Sequence, residues 1–247
     1  KRFEPPSITI AQLTASHTIL VIAGPQSRGL LQSVSPRHDW SKEAFAWMQV
    51  RKIFISHAEV VAMSVSFSGE LAYELHVPNE NLYLVYTTLT EAGNEYDIKD
   101  FGLYATESMR IEKGYRHWKA DLIYERNPLE SGLERFVDLD KADFVGKAKL
   151  LKQVERGPRR QFASMVIDCD VAPVHGGESI YRDNNLIGSV TSGGYGFRVK
   201  KNIAYGFVLP QLAQLGISLE VEMLGERYPA TVSEACLYDP DNQRVKM

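Results

Sequence analysis

Apolar residues are spaced in two different ways along this chain. Thr18-Ile-Leu-Val-Ile-Ala23 is a β-branched apolar run ended by Gly24-Pro25, which reads as a buried strand. Gln26 to Val34 follows with apolar positions at helical spacing and predicts a short amphipathic helix. Residues 50–56 and 57–66 read as two strands, and 72–77 as a third that stops at Pro78. Leu82, Val85, Tyr86 and Leu89 recur at the helical period, so a helix is predicted over 80–92 with Gly93 as its C-cap. A second helix is predicted over 101–113, with Leu103, Met109 and Ile111 buried and Gly114 closing it. This order, with short connections, implies an α+β layer: an antiparallel sheet with helices on one face.

A helix start at 147–151 then leads into Gln-Val-Glu-Arg-Gly-Pro-Arg-Arg-Gln, residues 153–161, which has linker composition. Beyond it the texture changes. Short strands are predicted at 162–167, 179–181, 186–192, 202–208, 218–223 and 228–233. Turn residues separate them at Gly176-Gly177, Asp183-Asn-Asn185, Gly193-Gly194 and Gly225-Glu226. Strands at this spacing without a long helix indicate a small barrel or sandwich. The expected organisation is therefore an α+β region over 1–152, a linker over 153–161 and a β domain over 162–247.

Composition narrows the function classes. With 28 Lys and Arg against 31 Asp and Glu, the net charge is −3, and no basic stripe marks a nucleic-acid binder. No apolar run is long enough to span a bilayer and no signal-peptide pattern opens the chain, so neither nucleic acid nor membrane is an expected partner. Cys169 and Cys236 are far apart, lack metal-like spacing and are expected to be buried thiols of a reducing compartment. The expected location is the cytoplasm, or the mitochondrial matrix if the chain is eukaryotic. His57 and His117 have no cysteine or serine nucleophile elbow and no His-Glu-x-x-His motif to join, so a metal site is not expected. The chain opens on Lys1, not Met, which reads as a processed or excised piece.

The candidate chemistry lies in two stretches. Glu74 stands on the alternating strand Ala72-Tyr-Glu-Leu-His-Val77, so the period of two fixes its face. A carboxylate held there can accept two parallel hydrogen bonds from an N–H beside an NH2, the edge found on pterins and guanines. By spacing alone a solvated strand glutamate is the simpler reading. Phe67 and Tyr73 flank the Ser68-Gly69-Glu70 turn, where rings could stack on a heterocycle; core packing is the default for both. Tyr115-Arg-His-Trp118 follows directly on the second helix, and its aromatic and cationic side chains suit a flat, anionic ligand. A surface turn with Trp118 folded onto a helix accounts for it equally well. Gly193-Gly-Tyr-Gly196 reads as a turn in close approach to another surface. Arg198, Lys200 and Lys201 read as a solvated loop or as a contact for a carboxylate.

Taken jointly, these stretches resemble the aminomethyltransferase (glycine cleavage T-protein) family. The match runs through Leu20-Val-Ile-Ala-Gly-Pro-Gln-Ser-Arg28, Ser66-Phe-Ser-Gly-Glu-Leu-Ala-Tyr-Glu74, residues 102–132, Ala142-Asp-Phe-Val-Gly-Lys147, and 186–193 leading to 201–207. Met109-Arg-Ile-Glu-Lys-Gly-Tyr-Arg-His-Trp118 is most like the C-terminal folate-binding region of the dimethylglycine and sarcosine dehydrogenases. The resemblance implies tetrahydrofolate as cofactor, with Glu74 gripping the pterin. Phe67, Tyr73, Arg110, Tyr115 and Trp118 are its other cofactor-binding candidates. It also implies a small-molecule amine substrate and an upstream domain of the same protein carrying FAD. The oxidised N-methyl group would then be captured as 5,10-methylenetetrahydrofolate. Three departures stand out. The family's tyrosine is Phe67, its Arg-Asp pair is Thr106-Glu107, and the segment bearing its catalytic aspartate has no counterpart in this chain. Asp39 and Asp100 sit in polar linkers and offer no substitute, so no catalytic residue is assigned. A non-catalytic scaffold or interaction domain and a free aminomethyltransferase are the alternatives. The branch acting on RNA or iron-sulfur assembly is disfavoured, because 141–147 lack its Lys-Gly-Cys-Tyr-x-Gly-Gln-Glu motif.

Overall fold

The structure, a computed structural model, describes residues 9–247 and divides into two compact units. One comprises the chain up to Asp100 together with Asn242–Met247; the other is Phe101–Asp241. In the first, β1 (His17–Ala23), α1 (Ser27–Val34), β2 (Val50–Ile55), β3 (Ala58–Met63), β4 (Ala72–Pro78) and α2 (Leu82–Gly93) follow the predicted order. The strands form one antiparallel sheet in the order β1-β4-β3-β2.

Alternation decides which face is covered. Ile53, Ile55, Val60, Ala62, Tyr73, Leu75 and Val77 are buried and share a core with Leu31 of α1 and Val85 and Leu89 of α2. The opposite face carries Ile19, Val21, Val50 and Phe54, each more than two-fifths exposed. Gly93 is not the cap that its position suggests. The chain continues through a 3-10 turn to Asp97, which takes the left-handed conformation instead. Gly93 is required because Ile98 packs on its Cα: an added Cβ would stand 2.4 Å from Ile98 Cγ2.

The same unit is finished by the last residues of the chain. Arg28 on α1 donates from Nε and Nη2 to the Met247 carbonyl oxygen (3.0 and 2.8 Å) and from Nη1 to the carbonyls of Trp40 and Phe45. Val245 is buried, and the Lys246 ammonium lies 5.4 Å from the centre of the Trp47 ring.

The second unit contains α3 (Leu103–Glu112), α4 (Lys147–Arg156) and six strands: β5 (Gln161–Ile167), β6 (Ser179–Arg182), β7 (Asn185–Gly196), β8 (Lys201–Val208), β9 (Ser218–Met223) and β10 (Glu226–Ser233). The strands close into a barrel in the order β10-β5-β8-β7-β6-β9, which settles the choice between barrel and sandwich. Met165, Ile167, Val190, Ala204, Val221 and Val232 fill its interior. The alternate residues Phe162, Ile203, Tyr205 and Phe207 form a second cluster with Ile111 of α3 on the outer wall. That double coverage explains why β8 is buried almost throughout.

Three expectations are corrected here. Leu103 is 83% exposed, because it opens α3 instead of lying on its packed face; Ile111 takes the buried place as expected. Gly193-Gly194 lies inside β7 and is no turn, although the close approach is real: a Cβ on Gly193 would stand 2.5 Å from Val174 Cγ1. Helix α4 extends to Arg156, through the first part of the stretch with linker composition. Both cysteines are free, Cys169 buried and Cys236 half-buried.

Candidate functional site

In the first unit, β4 brings Glu74 and His76 to the uncovered face of the sheet. Register fixes their neighbours: Glu74 lies between Val21 of β1 and Met63 of β3, and His76 between Ile19 and Val61. The Glu74 side chain is 36% exposed and that of His76 29%, with His76 Nε2 3.3 Å from Glu74 Oε2. This separation is ionic contact without hydrogen-bond alignment, since Nε2 is buried and makes no well-formed hydrogen bond. Glu74 is therefore a half-open carboxylate in an apolar row, touched on one side by an imidazole. His76 escaped the sequence reading, although the period of two that placed Glu74 also puts the residue two further along beside it.

Phe67 is 41% exposed on the turn before β4, which Ser66 Oγ and Ser68 Oγ brace by accepting from the backbone N–H groups of Gly69 and Glu70. Tyr73 points the other way. Its ring is wholly buried between Trp40 and Phe45, with both centroids within 5.4 Å, and it offers no face to a ligand. Burial pushes its phenol above the ordinary tyrosine range. The reason is parity: one residue along a strand turns the side chain to the opposite face. Asp39 and Asp100 are committed locally, Asp39 to the Ser41 backbone N–H at 2.8 Å and Asp100 to the Tyr86 hydroxyl at 3.0 Å.

In the second unit the C-terminal half of α3 is anchored by buried charge. Arg110 is 1% exposed; it meets Glu107 Oε2 from Nε at 2.8 Å and Nη2 at 2.7 Å, and donates from Nη1 to the Tyr115 carbonyl and to Asp121 Oδ2. Asp121 is fully buried and also accepts from the His117 backbone N–H, Thr191 Oγ1 and Ser192 Oγ. Arg110 thus shapes the 115–121 turn from within, and its guanidinium is engaged by the chain's own groups. Tyr115 is half-buried, its phenol raised chiefly by desolvation. Trp118 is 65% exposed and joins the turn through a bridge to Leu122. His117 Nε2 stands 3.6 Å from Glu107 Oε1. His57 is exposed on the β2–β3 hairpin turn.

Glu112, at the end of α3, is buried and accepts from the backbone N–H of Arg198 (2.6 Å) as well as from its guanidinium. The carboxylate that Arg198 contacts is therefore the chain's own. Together with this pair, Tyr104, Ser108, Met109 and Phe197 line a groove of about 380 Å³ that contains none of the six folate-contact candidates expected from sequence. Tyr104 and Phe197, 93% and 73% exposed, are its rims. Among the described residues no cluster of His, Cys, Asp and Glu could hold a metal ion, and no helix is long and apolar enough to cross a membrane.

Comparison with known proteins agrees with this architecture. Residues 1–141 match the GCVT N-terminal domain, and 160–239 match the glycine cleavage T-protein C-terminal barrel domain. Mitochondrial dimethylglycine dehydrogenase of Mus musculus is 36% identical over 241 residues, covering 97% of this chain and 28% of that protein. Mitochondrial sarcosine dehydrogenase of Mus musculus is 37% identical over 236 residues, covering 92% and 26% respectively. The chain thus spans little more than a quarter of these relatives. The crystal structure of glycine cleavage system aminomethyltransferase T from Bartonella henselae superposes with a TM-score of 0.80 at 21% identity, over 91% of this chain and 60% of that one, a likeness of fold. A helix-backed antiparallel sheet and a closed six-stranded barrel, each matched by its own domain family, place this chain in the glycine cleavage T-protein (GCVT) family.

Proposed function

We propose that this chain is the tetrahydrofolate-binding, one-carbon-transfer region of a protein like the dimethylglycine and sarcosine dehydrogenases. The observation that carries the reading is Glu74, a carboxylate fixed by a central strand, half open and flanked by Val21 and Met63. Apolar flanks suit the faces of a flat heterocycle, and two carboxylate oxygens suit an N–H beside an NH2. The fold and the dehydrogenase relatives support the same assignment.

Phe67 is the proposed further folate contact in the first unit, and Tyr115 and Trp118 are the candidates that the second unit carries, their rings at least partly open. Tyr73 and Arg110 serve as supports, one locking β4 into its core and the other fixing the 115–121 turn. When bound, tetrahydrofolate supplies the nucleophilic nitrogens that take up a one-carbon unit from an oxidised N-methyl amine. The protein's own part is to grip the ring, orient it and exclude water from the transfer. An upstream FAD domain of the same protein is the proposed source of that oxidised amine. No side chain is assigned to proton transfer, since Asp39 and Asp100 are held by local hydrogen bonds.

Calorimetry with tetrahydrofolate on the wild type and on Glu74→Ala tests the proposal. Loss of two charge-assisted hydrogen bonds should weaken binding by about a hundredfold or more. Equal affinity for both proteins would remove Glu74 from the site.

A further inference from the structure

We infer that His76 is the positioning residue for Glu74 and makes the grip on a donor–donor ring edge depend on protonation; this rests on the folate reading above. His76 Nε2 lies 3.3 Å from Glu74 Oε2 yet is not aligned as a hydrogen-bond donor, and among the described residues it has no hydrogen-bond partner. Two states of the pair follow from that geometry. With a neutral imidazole, Glu74 is a lone carboxylate in an apolar row, and both its oxygens can accept from a ligand. With a protonated imidazole, the pair becomes a short ion pair, so Oε2 is held by a permanent donor and the ligand must compete for it.

The surroundings leave this pair to itself. On β1 the residues facing it are Ile19 and Val21, with the imidazole of His17 one pair further along. On β3 they are Val61 and Met63, with Glu59 beyond. On β2 they are Val50 and Lys52, and Lys52 is taken up by Glu59 at 2.9 Å. The charged groups facing His76 from the three other strands are therefore His17, Glu59 and Lys52. Two of these neutralise each other, and His17 Nδ1 is held by Ser16 Oγ at 2.8 Å. Among the described residues Glu74 is the carboxylate in ion-pair distance of the ring, so it sets the effect of a proton there.

The sign is fixed by competition. Charging His76 ties up Glu74, so tetrahydrofolate should bind more weakly at pH 6 than at pH 8. A partly exposed ion pair of this kind corresponds to about a three- to fivefold change in affinity. The experiment is calorimetric titration with tetrahydrofolate at pH 6, 7 and 8 on the wild type, His76→Gln and His76→Lys, with thermal melts confirming that each variant folds. His76→Gln should bind at the wild-type pH 8 level throughout, and His76→Lys at the weaker pH 6 level throughout. A merely structural role would move both variants in the same direction. Wild-type affinity independent of pH, or a pH dependence that survives in His76→Gln, would overturn the inference while leaving the folate reading intact. Absence of tetrahydrofolate binding at every pH in every protein would overturn the folate reading, and this inference with it.

Discussion

Glu74 and Asp121 are both carboxylates, and what separates their roles is solvent. Glu74 keeps open surface and one loose neighbour, whereas Asp121 has no exposure and accepts from a guanidinium, a backbone N–H and two hydroxyls. A buried carboxylate arranged in this way is structural, because its lone pairs are occupied and its counter-charge is in place. Replacing Asp121 by Asn would remove the charge that Arg110 needs and turn an NH2 toward groups that themselves donate. The expected cost is about 3 kcal/mol, read as a lower urea midpoint at unchanged slope. Only one of these two carboxylates was legible in the sequence. Alternation along 72–77 placed Glu74 on a face, while the hydroxyl partners of Asp121 lie 70 and 71 residues further on and leave no local pattern. The same parity rule, carried one residue back, shows why Tyr73 turns into the core.

At the level of elements, the hydrophobic period delivered the strands and the helices and left the last domain as barrel or sandwich, and it failed where a residue's role depends on a distant neighbour. Gly93 has the position of a cap, but its lack of a side chain serves Ile98. Leu103 has the spacing of a core residue, but it opens its helix and faces solvent. Gly114 met its expectation for two reasons. It takes φ +82° after α3, and a Cβ there would stand 2.8 Å from the Ala235 carbonyl oxygen, a backbone atom that cannot swing away. Gly114→Ala is therefore expected to cost roughly 2–3 kcal/mol. Gly102→Ala, with φ −105° at the N-cap and open space around it, should stay within about 0.5 kcal/mol of wild type. Chemical denaturation of the two variants side by side separates the cost of the special backbone position from the generic effect of losing a glycine.

At the level of the whole molecule, each unit holds a buried phenol that the fold keeps protonated. Burial raises Tyr73 in the first unit and Tyr115 and Tyr205 in the second, and Tyr205, wholly buried and bonded to the Ile111 carbonyl, is raised strongly. An unfolded chain releases these protons near pH 10, whereas the folded chain retains them, so above that pH the unfolded state binds fewer protons. Stability should be fully present below about pH 10 and should fall above it, by up to about 1.4 kcal/mol per pH unit for each retained proton. Melting temperatures at pH 8, 9, 10.5 and 11 check this; a flat series through pH 11 would count against the buried phenols as the cause. The two units differ in one more respect, the position in the chain of the residues that finish them. The first unit is completed by Asn242–Met247, whose Met247 carbonyl is held by Arg28 and whose Val245 is buried. On a translating ribosome the sheet and its two helices are made first, yet they must wait for all of 101–241 before their last segment arrives, roughly ten to thirty seconds at ordinary elongation rates. The second unit has all of its residues once Asp241 is made, before the segment that completes the first, so the part of the protein synthesised later is the part able to finish folding first.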